Sequence, residues 1–203
     1  SIVPVIMSIK TGSKVIALVA PSIVGQFGLK VKADQIYTAL KMAGFADVVE
    51  VAIGADIVSV EEAEEYIEKV PAKQPFMTSS CCPAFVNIVK KYVPDAADKV
   101  SHKVSPMVAT CRWLKEQYPD ATTVFIGPCI AKKGEAKGYP EYIDYVLTFE
   151  EAMCLMEGKD IKVENVEAAE FERDGSKVGL GFPLAAGVTA AVNATVNAKG
   201  GSV

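Results

Sequence analysis

One histidine, His102, is all that this sequence of 203 residues offers to chemistry that needs an imidazole. A Cys-His dyad, a Ser-His-Asp triad or a multi-histidine metal site would have to pass through that side chain. Its neighbours Ser101 and Lys103 lie in a polar stretch before an expected helix start, so it reads as an ordinary surface residue. Long basic blocks are also lacking: 21 Lys and Arg against 25 Asp and Glu give a net charge of −4. That balance leaves no electrostatic footprint for a phosphate backbone and argues against nucleic acid as a partner. No apolar run reaches the ~18 to 20 residues of a membrane span. Residues 1–7 lack the basic flank and cleavage site of a signal peptide, so a soluble, cytoplasmic chain with no membrane partner is expected. Five cysteines, an odd number, argue against a closed disulfide framework. They suit a reducing compartment in which thiols bind metals or react. The CxxC spacings of zinc sites and ferredoxins are absent.

What is present is a chain 50% apolar with 15 glycines, enough for one good core or two small ones sharing a face. Residues 14–20 (KVIALVA) read as a strand buried on both faces, closed by Pro21-Ser22. From Asp34 the residues Ile36, Ala39, Leu40 and Ala43 keep helical spacing, with Gly44 where a left-handed cap belongs. Residues 47–53 read as a second strand, and Ser59 to Glu62 as a capping box opening a helix to about Lys69. A short strand over 74–78 is expected next, then proline-started helices at Pro83 to Tyr92 and from Ser105-Pro106 to about Tyr118. Strands follow at 122–126 and 143–147, and Thr148 to Glu151 form a second capping box before a helix to Gly158. The Ala/Val-rich stretch 184–198 reads as helix. This alternation predicts an α/β fold with mainly parallel sheets and flanking helices. Two similar strand-helix lobes are expected around a cleft, about 1–118 and 119–203, with a seam at Tyr118-Pro119-Asp120.

Three expected strand ends share one grammar: Ala20-Pro21-Ser22, Ser79-Ser80-Cys81-Cys82-Pro83 and Gly127-Pro128-Cys129. In open parallel sheets, ligands bind outside the carboxyl ends of the strands, so these loops can line one cleft. Cys82 directly precedes a helix whose dipole and free N–H groups favour a thiolate. Lys132 and Lys133 follow Cys129, and cationic side chains stabilise an anionic cluster or its anionic ligands, although alone they also suit a solvated loop. Cys82 and Cys129 therefore read as metal ligands. Cys111 and Cys154, set within apolar helical patterns, read as packing residues. The acidic pairs Glu61-Glu62 and Glu64-Glu65 read as a solvated helix face.

The segments TSSCCPAF (78–85), Ser105-Pro106-Met107 and FIGPCIAKKGE (125–135) closely resemble the first two signatures of the iron-only, di-iron hydrogenase catalytic domain and the short segment between them. The upstream run Val19 to Ser22 and the acidic helix after Gly54-Ala55-Asp56 match as well, and the resemblance covers about 14–192. It implies a 4Fe-4S cubane held by Cys82 and Cys129 and bridged to a di-iron subcluster carrying carbon monoxide, cyanide and a dithiolate with a bridging amine. It further implies that Cys81 hands protons to that amine and that Lys132 hydrogen-bonds a cyanide. Ala20, Pro21, Ser22, Ser105, Pro106, Met107 and Pro128 would lie against the cluster, and Glu62, Glu65 and Ser101 would form the proton path from the surface. For the two glutamates, the surface-face reading stays open.

The departures from that pattern are specific. The third signature, which supplies two further cubane cysteines, is missing, so the complete cluster is not expected to be held by this polypeptide alone. Gly127 stands where the most active members often carry methionine, and Ser105 to Ala109 look more like the sensory branches. Cys81 is retained, whereas some sensory members lack that thiol. No ferredoxin-like domain with its own cysteine motifs precedes the resemblance. Electrons would come from a ferredoxin-like domain or protein, and the remaining ligands from a C-terminal segment or another chain. The resemblance implies the larger part of a catalytic domain that interconverts protons and dihydrogen, or senses dihydrogen at the same site. The alternatives are a non-catalytic iron-sulfur scaffold of hydrogenase-like fold and a thiol redox module using Cys81-Cys82.

Overall fold

Val15–Val19 (β1) places five apolar residues in a row and buries all of them, as a strand covered on both faces must. In the computed structural model of the chain, which describes residues 2–169 and 175–200, β1 pairs in parallel with Asp47–Glu50 (β2) on one side and Thr122–Gly127 (β3) on the other. Tyr145–Thr148 (β4) pairs with β3 and completes the order β2-β1-β3-β4. Every pairing is parallel, so the connections are crossovers that carry helices. The α/β fold with a parallel sheet and flanking helices is therefore present. The stretches before and after residues 118–120 each add two strands to one sheet. From β1 the chain moves out to β2, then returns past β1 to β3. This reversal opens a crevice at the carboxyl ends of β1 and β3, flanked by the turn Pro21–Ile23 on one side and by Pro128 and Cys129 on the other.

The helices form where caps and periodicity place them. Ile2–Lys10 (α1) precedes β1, and Ala33–Met42 (α2) ends at Gly44, whose φ of 106° is the left-handed geometry that glycine tolerates. Ala52–Lys69 (α3), Pro83–Tyr92 (α4) and Pro106–Gln117 (α5) lie between β2 and β3, with proline in the first turn of α4 and α5. Ala131–Ala136 (α6) follows β3, and Phe149–Glu157 (α7) follows β4. At the head of α7, Thr148 Oγ1 accepts from the Glu151 N–H at 3.2 Å and Glu151 Oε2 accepts from the Thr148 N–H at 2.8 Å, completing the expected capping box. Lys177–Leu180 (α8) and Gly187–Ala198 (α9) pack on α3, so the Ala/Val-rich tail is helical from Gly187 onward. Among the described residues, no helix is long and apolar enough to cross a membrane.

Two expected elements differ. The strand expected over 47–53 ends at Glu50, and α3 begins at Ala52, well before Ser59. Ser59 thus sits inside the helix, where its hydroxyl donates to the Ala55 carbonyl at 2.7 Å instead of capping. A short apolar run such as 48–53 fits a buried strand and a buried helix start equally, and the tight approach of α3 to α5 selects the helix. Among the described residues, the stretch 74–78 makes one isolated parallel bridge, Thr78 to Val100, because Pro75 removes a donor and no described strand lies alongside. That bridge still joins two loops: the Thr78 N–H donates to the Lys99 carbonyl at 2.9 Å and the Ser101 N–H to the Thr78 carbonyl at 2.8 Å.

Gly54 makes the contact between α3 and α5 possible. A Cβ there would lie 2.2 Å from both the Pro106 carbonyl oxygen and Thr110 Oγ1. Neither atom can retreat, since the first is backbone and Thr110 Oγ1 donates back to that carbonyl at 2.8 Å. Gly54→Ala is expected to destabilise the fold by about 1–3 kcal/mol, the range for overpacking, read as a lowered midpoint in urea unfolding.

Candidate active site

The three loops meet as expected, although only those after β1 and β3 leave strands and the 79–83 loop does not. Ala20, Pro21 and Ser22 after β1, Cys81, Cys82 and Pro83 at the head of α4, and Pro128 and Cys129 after β3 line one cavity of ≈270 Å³. Pro106, Met107 and Lys132 complete the set expected to surround a cluster, while Ser105 lies at an adjoining cavity. Cys82 occupies the N-cap of α4 in an extended conformation, exposed, with no hydrogen bond from its side chain to the helix. The free N–H groups of the first turn of α4, from Ala84 onward, therefore present positive potential beside a free sulfur. Cys81 and Cys129 are half-buried. Lys132 is buried, its Nζ donating to the Cys81 carbonyl at 3.1 Å and pairing with Glu135 Oε2 at 2.8 Å.

Soft thiolates, apolar walls and one buried cation fit an iron-sulfur cluster. Among the described residues, no three or more His, Cys, Asp or Glu side chains gather as a metal-binding group. Cys82 and Cys129 would therefore be two of the four thiolates of a cubane.

Behind the cavity lies a run of hydrogen-bonded polar groups. Glu62 and Glu65, one turn apart on α3, point to the same side and are 1% and 7% exposed. Ser79 Oγ donates to Glu62 Oε1 at 2.8 Å and accepts from the Cys81 N–H at 3.2 Å. The Ser80 N–H donates to the same Glu62 oxygen at 3.0 Å. Ser101 Oγ donates to Glu65 Oε2 at 2.6 Å. Two hydrogen-bonded sets, Cys81-Ser79-Glu62 and Ser101-Glu65, thus stand side by side behind the cavity.

The electrostatics differ along these groups. Burial raises the pKa of Glu62 above the usual carboxylate value, more than the hydrogen bonds from Ser79, Ser80 and Ser101 lower it, and the charge of Glu65 adds to the rise. Glu65 also pays for burial, but hydrogen bonds from Lys69, Ser101 and His102 outweigh it and hold its carboxyl down at about 2. Burial pushes the Cys81 thiol up, so it keeps its proton at neutral pH. A protonated thiol, a carboxyl that accepts a proton readily and an ionised carboxylate near the surface form a sequence in which a proton can move stepwise.

Several sequence expectations are corrected. Glu62 and Glu65 are not on a solvated face: residues 62, 65 and 69 share the helix side that α3 turns toward the 79–81 and 101–103 loops. Lys133 does not reach the cavity but bonds to both oxygens of Glu151 at 2.7 Å, tying α6 to α7. Cys154 is exposed rather than packed, whereas Cys111 packs in the core as expected, its thiol pushed up to about 12 by desolvation. His102 is at the surface but bonded to Glu65. Gly127 is covered by the Phe125 ring, whose edge would lie 2.5 Å from a Cβ.

Ser79 and the cavity-lining residues Val51, Ala55, Phe125, Phe182, Pro183 and Val188 escaped sequence reasoning. The last three arrive from the tail through α8, which Asp56 anchors by bonds to the N–H and hydroxyl of Ser176 at 2.7 and 2.6 Å. Only the serine beside the cysteine pair carried a local signal.

Comparison with known proteins gives a consistent result. The family described as "Iron only hydrogenase large subunit, C-terminal domain" matches residues 13–201. Iron hydrogenase 1 of Clostridium pasteurianum is 32% identical over 86% of this chain and 35% of its own length. The NADP-reducing hydrogenase subunit HndD of Solidesulfovibrio fructosivorans is 27% identical over 66% of this chain and 26% of its own length. Among solved structures, HydA(deltaEFG), from a study of stepwise [FeFe]-hydrogenase H-cluster assembly, superposes with a TM-score of 0.78 at 24% identity, covering 96% of this chain and 57% of the other. Apo [FeFe]-hydrogenase HydA1 from Chlamydomonas reinhardtii gives 0.76 at 23% identity, over 96% and 58%. At that identity the likeness speaks for the fold. The chain spans about a third of the first curated relative and under two thirds of these solved chains.

Proposed function

This chain belongs to the iron-only hydrogenase large-subunit family, and on that premise we propose that it is the larger part of an [FeFe]-hydrogenase catalytic domain. When bound, a 4Fe-4S cluster with its di-iron subcluster would supply the redox chemistry that interconverts protons and dihydrogen, or that senses dihydrogen. Cys82 and Cys129 hold it as thiolates. Lys132, Pro21 and Ser22 position and screen it, with Ser105 and Pro106 behind. Cys81 carries a proton at its sulfur, and Ser79, Glu62, Ser101 and Glu65 replenish that proton from the surface. Electrons come from a ferredoxin-like partner, and the remaining cluster ligands from a further segment or another chain.

The observation that carries this reading is the run of buried and half-buried polar groups behind the cavity, in which Ser79 is hydrogen-bonded to Cys81 and Glu62, and Ser101, beside them, to Glu65. A scaffold that merely stored a cluster would have no use for it. The test is reconstitution of the chain, together with the segment or partner chain that supplies the remaining cluster ligands, with iron, sulfide and a di-iron precursor, followed by infrared spectroscopy. Bands of bound carbon monoxide and cyanide are expected. A cubane signal without those bands would favour the non-catalytic scaffold. A metal-free protein whose Cys81 and Cys82 titrate as a reversible disulfide would favour a thiol redox module.

A further inference from the structure

The run of hydrogen-bonded groups does not stop at Glu65. His102 follows Ser101 directly, its backbone N–H lies 3.2 Å from both Glu65 oxygens, and its ring Nδ1 lies 2.9 Å from Glu65 Oε1. The side chain is 71% exposed, so the other ring nitrogen has access to solvent. Lys69 Nζ, one turn further along α3, lies 2.7 Å from the same Nδ1 and 2.6 Å from Glu65 Oε1. The charged groups that meet the ring are thus Glu65 and Lys69, both from α3, and Lys103 is its neighbour in the chain.

A neutral imidazole nitrogen either donates or accepts, never both. Here each state of Nδ1 has its partner in place. Protonated, it donates to Glu65; bare, it accepts from the Lys69 ammonium. Lys69 alone cannot serve as the entry point, because an ammonium offers no lone pair to an incoming proton, whereas imidazole binds and releases protons near neutrality.

We propose that His102 is the port through which the relay exchanges protons with solvent. A proton from water or buffer binds Nε2, and the Nδ1 proton passes to Glu65 Oε1. The ring is left neutral with its proton on Nε2, while Lys69 donates to the bare Nδ1. The ring resets by losing the Nε2 proton to solvent and regaining one at Nδ1. One proton enters for each proton delivered, and no electrons move. What the relay serves rests on the hydrogenase reading; the coupling of ring to relay does not.

The experiment has two arms. In the cluster-free chain, nitrogen NMR reads which ring nitrogen of His102 carries the proton. Glu65→Ala is expected to move the neutral ring toward the form with its proton on Nε2 and Lys69→Ala toward the form with it on Nδ1, because one removes the acceptor facing Nδ1 and the other the donor. Two variants with opposite expected signs keep this arm decisive if one of them fails to fold. Ring-nitrogen signals that ignore both changes would overturn the proposal. In the cluster-loaded protein, His102→Gln is expected to slow proton reduction roughly tenfold, with added imidazole restoring it. Unchanged turnover in that variant would also overturn the proposal, with the hydrogenase reading intact. If the unaltered protein, loaded in the presence of the segment or chain that completes the ligand set, turns over nothing, that reading has failed, and the NMR arm alone decides whether His102 is coupled to the relay.

Discussion

Replacing Cys82 by serine is expected to abolish cluster binding while making the protein more stable. Cys82 is the N-cap of a ten-residue helix and makes no capping hydrogen bond. Serine is among the best N-cap residues, and its Oγ can accept from the N–H groups two or three positions on, a gain of about 1 kcal/mol. That corresponds to a rise of about 2–4 °C in melting temperature for a chain of this size. The same exchange removes a thiolate. Losing even a group that only orients a metal ligand costs about 10–100-fold in affinity, so losing the ligand itself is expected to cost at least about 100-fold.

Cys129→Ser should lose iron equally, without the capping gain. Cys111→Ser supplies the opposite control: it buries a hydroxyl in a fully enclosed site and should cost about 1–3 kcal/mol while leaving iron content unchanged. Cys154→Ser, at an exposed position, should alter neither. Iron and sulfide analysis beside thermal melts reads all four. Full iron content in Cys82→Ser would remove the metal-ligand assignment, and because that variant should fold better than its parent, misfolding could not account for a loss.

The outcome of these substitutions depends on parts of the molecule that were unequally legible in the sequence. Local rules placed α4 and α5 by their prolines, α7 by the Thr148 and Glu151 box, and β1 by its continuous apolar run. The convergence of the loops after β1 and β3 followed from the parallel-sheet pattern, since ligand crevices form where strand order reverses, whereas the 79–83 loop reaches them from the head of α4 without a strand before it. What failed locally was decided by tertiary contact. Residues 52 and 53 became helix because Gly54 lets α3 touch the backbone of α5. Glu62 and Glu65 sit in a heavily charged stretch, and nothing nearby in sequence says that the loops carrying Ser79 and Ser101 will cover them. Two adjacent lysines also look alike in a sequence, yet the turn of α6 sends Lys132 into the cavity and Lys133 to Glu151. The Phe182 and Pro183 wall comes from a segment more than 100 residues from Cys81 in the chain, attached through Asp56, and had no local signature.

Glu62→Gln is expected to separate function from stability in the opposite sense to an ordinary active-site lesion. Burial is the largest influence on Glu62 and raises its folded-state pKa above 4.5, its unfolded value. A raised carboxyl pKa means that ionisation opposes folding. The penalty is absent below pH 4.5, grows as pH rises toward the folded-state value, and stays constant above it. Glutamine removes that penalty and keeps the hydrogen bonds: its Oε1 can accept from Ser79 and Ser80, and its amide can donate toward the Ser101 hydroxyl. The variant should therefore melt above its parent at pH 7 and with it at pH 4. An amide cannot take up and release a proton at these pH values, however, so the link between Ser101 and Ser79 is cut. Proton reduction by the loaded enzyme is expected to fall by about 10²-fold or more, with iron content and infrared bands unchanged. Retained turnover would show that protons reach Cys81 by another route. A variant less stable than its parent at pH 7 would show that Glu62 is held by a cation or a donor beyond Ser79, Ser80 and Ser101.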